Sequence, residues 1–256
     1  MISDEDVRQL FQYNLNVQYK LLYSDEPYPN QFFRGRASHT WENSHPGGCK
    51  RHGLVFDKFN IIPKYCFSCY KVLIEPRTVV ELFKLMMVFD KLELPNDNTR
   101  KCLVETRAQV SGTYKGLIYC KGVEEGMEIL KLVQNVISEK ISKKIQVTLK
   151  RGCSEYALAY PEYARIGQGM ATMEYKEQWQ EYEDLADKVL VISTQHPVSD
   201  TYNHPTYTTR NVRAMLAWLT YAATIGDLSY QKIYGSVLRP RSDLKRPTPF
   251  HPVKDE

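Results

Sequence analysis

The chain has 256 residues, of which 43% are hydrophobic and 25% are charged, and this is the composition of an ordinary folded protein with one or two domains. Its 34 Lys and Arg exceed its 30 Asp and Glu only slightly, so the net charge of +4 does not require a polyanionic partner. The same composition excludes collagen, intrinsic disorder and a coiled coil. The longest apolar run, Ala214 to Ile225, is shorter than the roughly 20 residues that cross a bilayer. We therefore expect no membrane partner, and the acidic start Met1-Ile-Ser-Asp-Glu-Asp, which lacks the basic start of a secretory signal, predicts a cytoplasmic protein.

The first region, residues 1–63, opens with apolar residues at helical spacing: Val7, Leu10, Phe11 and Leu15. From Pro27 onward this region has the proline and aromatic content of a loop. It also contains Cys49 and His52. We predict an N-terminal helix followed by a Cys/His-containing loop.

The second region, residues 64–153, alternates between patterns typical of strands and helices. Thr78 and Glu81 have the spacing of a capping box, in which each side chain satisfies a free backbone donor at the start of a helix. Ile145, Val147 and Leu149 alternate with polar residues, which indicates a half-exposed strand. The predicted elements are a strand at 65–75, a helix at 78–92, strands at 102–107 and 114–120, a helix after Gly122, and a strand at 145–150.

This order of elements predicts an α+β protein with a ferredoxin-like βαββαβ core. Right-handed crossovers give the sheet order 4-1-3-2 with antiparallel neighbours and both helices on one face. The third region, residues 154–256, is predicted to be a mainly helical extension. Its helices fall at 173–191 and 209–225, and an irregular Pro-rich tail begins at Arg239.

Six cysteines in a chain expected in a reducing compartment indicate metal binding or catalysis more than disulfides. In the predicted topology, strands 1 and 2 begin at the end of the sheet where strands 3 and 4 finish. That end collects five cysteines: Cys66, Cys69, Cys102, Cys120 and Cys153.

Two pairs with x2 spacing, Cys49-Lys-Arg-His52 and Cys66-Phe-Ser-Cys69, are typical of structural zinc sites. We predict a zinc ion bound by Cys49, His52, Cys66 and Cys69, with Cys102, Cys120 and Cys153 as further thiols that could complete the site. His39 or His45 could replace His52. An iron–sulfur cluster on Cys66, Cys69, Cys120 and Cys153 is an alternative. A third interpretation has the cysteines as buried small hydrophobic residues without metal.

The sheet face opposite the two helices is predicted to be basic, with Lys71, Arg107, Lys115 and Lys150 available to bind an anion. The alternative is a solvated face, or one covered by the C-terminal helices. No hydrolase motif or phosphate loop identifies catalytic residues. The leading hypothesis is a cytoplasmic metal-binding protein, with zinc as the expected metal, which could be a metal-dependent enzyme acting on a small anionic substrate. The alternatives are a nucleic-acid-binding or adaptor module with a structural zinc, and an iron–sulfur redox protein.

Overall fold

The computed structural model of the chain describes residues 1–22, 38–41, 49–107, 109–166, 172–189 and 209–234. The predicted tail from Arg239 and the candidate ligand His45 lie outside these ranges. Among the described residues, no helix is long and apolar enough to span a membrane.

Helices and strands follow one another in a mixed α+β order, and short 3-10 turns connect several of them. The helices are α1 (Asp4–Leu22), α2 (Cys49–Phe59), α3 (Val79–Lys91), α4 (Gly122–Lys140), α5 (Ser154–Ala159), α6 (Gln180–Val189), α7 (Thr209–Ile225) and α8 (Gln231–Tyr234). The strands are β1 (Ser38–Trp41), β2 (Cys69–Glu75), β3 (Arg100–Val104), β4 (Tyr114–Lys121) and β5 (Gln146–Arg151).

The five strands form one antiparallel sheet in the order β1-β3-β4-β2-β5. The four strands expected from the sequence occupy it in the predicted order 4-1-3-2, counted from β5. The strand β1 was not expected, because residues from 27 onward were assigned to a loop. It pairs with β3 and extends the sheet at that edge.

Helix α3 begins where the capping motif places it. The Thr78 hydroxyl accepts a hydrogen bond from the Glu81 backbone N–H at 3.2 Å. The reciprocal bond differs from the expected one, since the Glu81 carboxylate accepts from the backbone N–H of Arg77 at 2.8 Å. Two backbone donors at the helix start are therefore satisfied. The second donor is the N–H of Arg77 and not that of Thr78, one residue later.

The main hydrophobic core lies between the sheet and the helices α3 and α4. Val72, Ile74 and Ile118 are fully buried on this face. Gly116 of β4 permits the close approach of α3, because a Cβ atom at this position would lie 2.5 Å from a methyl carbon of Leu85. The outer helices α1 and α7 join the same core through Phe11 and Trp218, among other residues.

A second, smaller core lies beside the ends of β2 and β5. It is built from α2, α5, α6 and the short turns at 64–68, 161–164 and 177–179, and it buries Val55, Cys66, Tyr156, Tyr163 and Trp179. The assignment of residues near Cys49 to a loop was wrong, because α2 begins at that residue. Arg51 connects α2 to α6 through Asp187 at 2.6 Å and Glu183 at 2.9 Å, so a contact across more than half of the chain stabilises this helix.

Candidate functional site

The sheet face opposite α3 and α4 carries a row of lysines. Lys71 of β2 pairs with Tyr119 of β4 on one side and with Lys150 of β5 on the other. Side chains directly opposite one another across antiparallel strands lie on the same face. The expectation that Lys71, Lys115 and Lys150 share this face is confirmed by the register, which places Val72, Ile118 and Leu149 together on the other face.

This face is not a solvated surface at its centre. Lys71 is only 3% exposed and Lys115 5% exposed, while Lys150 is half-buried. Burial of an ammonium group is costly unless a partner compensates for its lost hydration. The hydrogen-bond and ion-pair partners of each lysine therefore determine whether it can bind a ligand.

Lys71 contacts a thiol. Its Nζ atom donates a hydrogen bond to Sγ of Cys153 at 3.1 Å, and it lies 4.9 Å from the ring centroid of Tyr119. Burial alone would lower the pKa of Lys71, but Cys153, Tyr119 and Cys69 around it raise the pKa well above its ordinary value. A thiolate beside this nitrogen therefore favours the ammonium form of Lys71.

Gly152 brings Cys153 to this position. Its φ of 52° lies in the left-handed region, and its N–H donates to the carbonyl of Cys69 at 2.8 Å. A Cβ atom at Gly152 would lie 2.1 Å from the Tyr163 hydroxyl oxygen, so the site requires glycine. The turn at Gly152 ends β5 and leads to Cys153 on the same face as Lys71.

Lys150 is the second lysine of the centre. Its Nζ atom donates to the Ser154 hydroxyl at 2.8 Å. Burial, followed by the charge of Lys71, lowers the pKa of Lys150 to about 8. Lys150 can thus gain or lose a proton close to neutral pH.

The other two candidate anion-binding groups are already paired. Arg107 donates two hydrogen bonds of 2.9 Å to the Glu105 carboxylate and forms an ion pair with Glu155 at 2.5 Å. Lys115 lies 3.7 Å from Glu105. By contrast, neither Lys71 nor Lys150 has a carboxylate within ion-pair distance in the described part of the chain. Two of the four predicted anion-binding groups therefore have a thiol or a hydroxyl, and not a carboxylate, as their partner among the described residues.

Four of the six cysteines lie near this centre. Cys49, Cys66 and Cys69 are each close enough to Cys153 to be affected by its charge. Loss of hydration around its sulfur raises the pKa of Cys49 to about 11, although the residue is partly exposed, and burial raises the pKa values of Cys66 and Cys69. The three surrounding thiols are thus neutral at physiological pH, and none of the six cysteines forms a disulfide.

The remaining two cysteines lie on the other side of the sheet. Cys102 and Cys120 belong to the main core. Burial raises the pKa of Cys102 and brings the pKa of Cys120 to about 12. The sheet therefore separates Cys120 from Cys66, Cys69 and Cys153, with which it was expected to hold an iron–sulfur cluster.

The predicted zinc ligands come from different elements. Cys49 and His52 are three residues apart in α2, so they lie on one side of a helix and not in a knuckle turn. The His52 ring stacks on Tyr65, with ring centroids 5.5 Å apart. Within the described ranges, no three His, Cys, Asp or Glu side chains are arranged to hold a metal ion. The zinc set stays a prediction.

No sequence pattern singles out Ser154, although it lies four residues after Lys150 and contacts it. An i, i+4 relationship is informative in a helix, but here a strand, a glycine turn and a helix start intervene. Comparison with known proteins adds no assignment, since no family model, curated protein or solved structure matches this chain.

Proposed function

We propose that this protein is an enzyme that binds a small anionic substrate at Lys71 and Lys150 and uses Cys153 as its nucleophile. The observation that carries the proposal is the placement of two directly opposed lysines beside one thiol, with the sulfur 3.1 Å from Lys71 Nζ. We further propose that β2–β5 with α3 and α4 form a ferredoxin-like core that positions this centre.

The lysine pair supports the choice of an anion. Like charges directly opposite one another across strands destabilise a sheet, and burial increases the cost. A bound carboxylate or phosphate would offset both charges and form charge-assisted hydrogen bonds with both ammonium groups. The lowered pKa of Lys150 indicates that its environment disfavours a second positive charge when the site holds no anion.

The thiol supports catalysis. A cysteine nucleophile reacts as the thiolate, and an adjacent ammonium group stabilises this form. In the proposed reaction, the Cys153 sulfur forms a bond to an electrophilic carbon of the substrate, and the bond to the leaving group breaks. Lys150, with a pKa of about 8, can supply the proton that the leaving group takes. The six free cysteines fit a reducing compartment, so we propose a cytoplasmic location.

Protection by an inorganic anion tests this function. Sulfate, compared with chloride at equal ionic strength, should slow the alkylation of Cys153 by iodoacetamide and raise the melting temperature. The variant Lys150→Gln should lose most of both effects, while the exposed Lys144→Gln should retain them. Equal responses to sulfate and chloride in the wild-type protein would reject the anion site.

Zinc binding is the second candidate, and the grouping of Cys49, Cys66 and Cys69 near Cys153 favours it. Four thiolates around one zinc ion carry two net negative charges, which Lys71 and Lys150 would balance. The side chains as placed do not form a metal site, so binding would require the thiols to move together. Metal analysis of the purified chain decides: about one zinc per chain, lost in Cys69→Ser, supports this candidate. Metal-free protein in which Cys153 reacts with iodoacetamide at its full rate rejects this candidate.

A nucleic-acid interface has less support. Phosphate backbones are bound by exposed lysines and arginines, whereas Lys71 and Lys115 are buried. Arg107 is already paired with two carboxylates. These contacts favour a small ligand over an extended polyanion.

A further inference from the structure

A second candidate site lies on the far side of the smaller core. It is a surface cavity of about 510 Å³ between the end of α2, the start of α6 and the residues that follow α5. Four aromatic side chains line it: Phe59, Tyr160, Trp179 and Tyr182. The thiol and lysine centre shares none of these residues.

The aromatic side chains form two pairs. The rings of Phe59 and Tyr182 are 5.7 Å apart, and those of Tyr160 and Trp179 are 5.6 Å apart. Tyr182 is 45% exposed, so part of its ring is available to a ligand. The Tyr160 hydroxyl donates to the carbonyl of Asn60 at 2.6 Å, which fixes one of the two pairs.

The charged residue in the lining of the cavity is acidic, Glu181. Nearby acidic residues are paired, and Glu177 lies 3.6 Å from Lys64. Arg51 pairs with Glu183 and Asp187, but Glu181, which lines the cavity, has no hydrogen-bond or ion-pair partner among the described side chains. A free carboxylate beside aromatic rings favours a cation.

Lysines of the chain itself already lie over two rings of this group. Lys58 Nζ is 5.3 Å from the Phe59 ring centroid, and Lys176 Nζ is 5.2 Å from that of Trp179. Ring faces attract cations through their quadrupole, and aromatic cages bind quaternary ammonium groups in this way. The same surface therefore supplies aromatic rings that already contact cations and a carboxylate, the groups that bind such a cation.

We propose that this cavity binds a methylated ammonium group, with the aromatic pairs as its walls and Glu181 as its counter-charge. The shared chemistry covers a free choline-like molecule and a methylated lysine of a peptide. The thiol and lysine centre has no part in this binding, so its function can fail while this proposal holds.

Choline tests the proposal against its uncharged analogue 3,3-dimethylbutanol, in titrations of the full chain followed by tryptophan fluorescence and calorimetry. We expect choline to bind about tenfold more tightly, because the analogue has the same shape without the charge. A peptide with trimethyllysine, compared with the same unmodified peptide, separates the two sources of the group. The proposal would be overturned if choline bound no more tightly than 3,3-dimethylbutanol and the trimethyllysine peptide bound no more tightly than the unmodified peptide.

Two pairs of variants locate the binding. Tyr182→Ala and Glu181→Gln should each weaken choline binding by about fivefold or more. The controls are Leu185→Ala, an exposed residue on the same helix, and Glu174→Gln, an exposed acidic residue outside the cavity. Equal losses in the variants and their controls would show that choline binds elsewhere. Circular dichroism of each variant confirms that the fold is intact.

Discussion

The ammonium nitrogen of Lys71 lies 3.1 Å from the sulfur of Cys153, although the two residues are 82 positions apart in the chain. Pairing of β2 with β5 brings them to the same end of the sheet, and the turn at Gly152 places the sulfur on the lysine face. This contact joins a buried charge to a nucleophilic atom. It is the basis of the proposed chemistry.

Replacing Lys71 by methionine should reduce the reactivity of Cys153 while leaving the fold intact. Methionine fills a similar volume without the charge, so the free energy of unfolding should stay the same or rise. Without the ammonium group, the sulfur of Cys153 loses the positive charge beside it, and its alkylation near neutral pH should slow by about tenfold. Peptide-resolved mass spectrometry after timed exposure to iodoacetamide measures this rate.

Lys101→Met is the control for this variant. Like Lys71, Lys101 lies near the ring of Tyr119, with its Nζ atom 5.8 Å from the ring centroid. Its rate should match that of the wild type. Should Lys71→Met react as fast as Lys101→Met, Lys71 has no role in activating the thiol.

The pKa of Lys150 predicts a particular pH dependence of stability. Burial and Lys71 lower this pKa from 10.5 to about 8 in the folded protein. Between these two values the unfolded chain binds more protons at this residue than the folded one, so the contribution of Lys150 to stability rises with pH across that window. Below it, both states are protonated, and the buried charge destabilises the fold.

The difference in melting temperature between the wild type and Lys150→Gln isolates this contribution from that of the cysteines. It should shift in favour of the wild type as the pH is raised through the window. Added sulfate should reduce the shift, because a bound anion stabilises the charged lysine. A difference that is flat with pH would contradict the assigned pKa.

Gly152→Ala should disrupt the centre. The new methyl group meets the Tyr163 hydroxyl, and the backbone has a positive φ that alanine disfavours. We expect a loss of about 2 kcal/mol or more in the free energy of unfolding, measured by chemical denaturation. Gly53→Ala is the matched control, since nothing lies within 4 Å of its new methyl group and the residue is helical. That variant should gain about 0.5–1 kcal/mol, and equal effects of both would reject the steric argument.

The sheet and its two crossing helices were predictable because local patterns and topology rules agree there. Alternation in β5 and the capping motif at Thr78 mark element boundaries, and the handedness of crossovers then fixes the order of the strands. The shared face of Lys71 and Lys150 follows from the same alternation. Within this core, local sequence patterns are enough to predict most of the helices and strands and their order.

The arrangement of the cysteines depends on details that a sequence pattern does not contain. Strand β3 begins two residues earlier than expected, so Cys102 lies inside the strand and faces the main core. Cys49 was assigned to a loop because the region from Pro27 onward has the proline and aromatic content of one, but contacts with α6 stabilise a helix there. The sheet face on which each cysteine lies, and the long-range ion pairs that hold α2, determine which thiols lie close together. Neither can be derived from CxxC spacing alone.

The most direct test of the proposed site compares two alkylating agents at Cys153. Iodoacetate carries a negative charge, whereas iodoacetamide is neutral and delivers a group of similar size. The ratio of their rates at Cys153, divided by the same ratio for free cysteine, should be about ten or more, because the lysines attract the anion. The ratio should fall towards one in Lys150→Gln. A wild-type ratio of one or less would contradict an anion site beside this nucleophile.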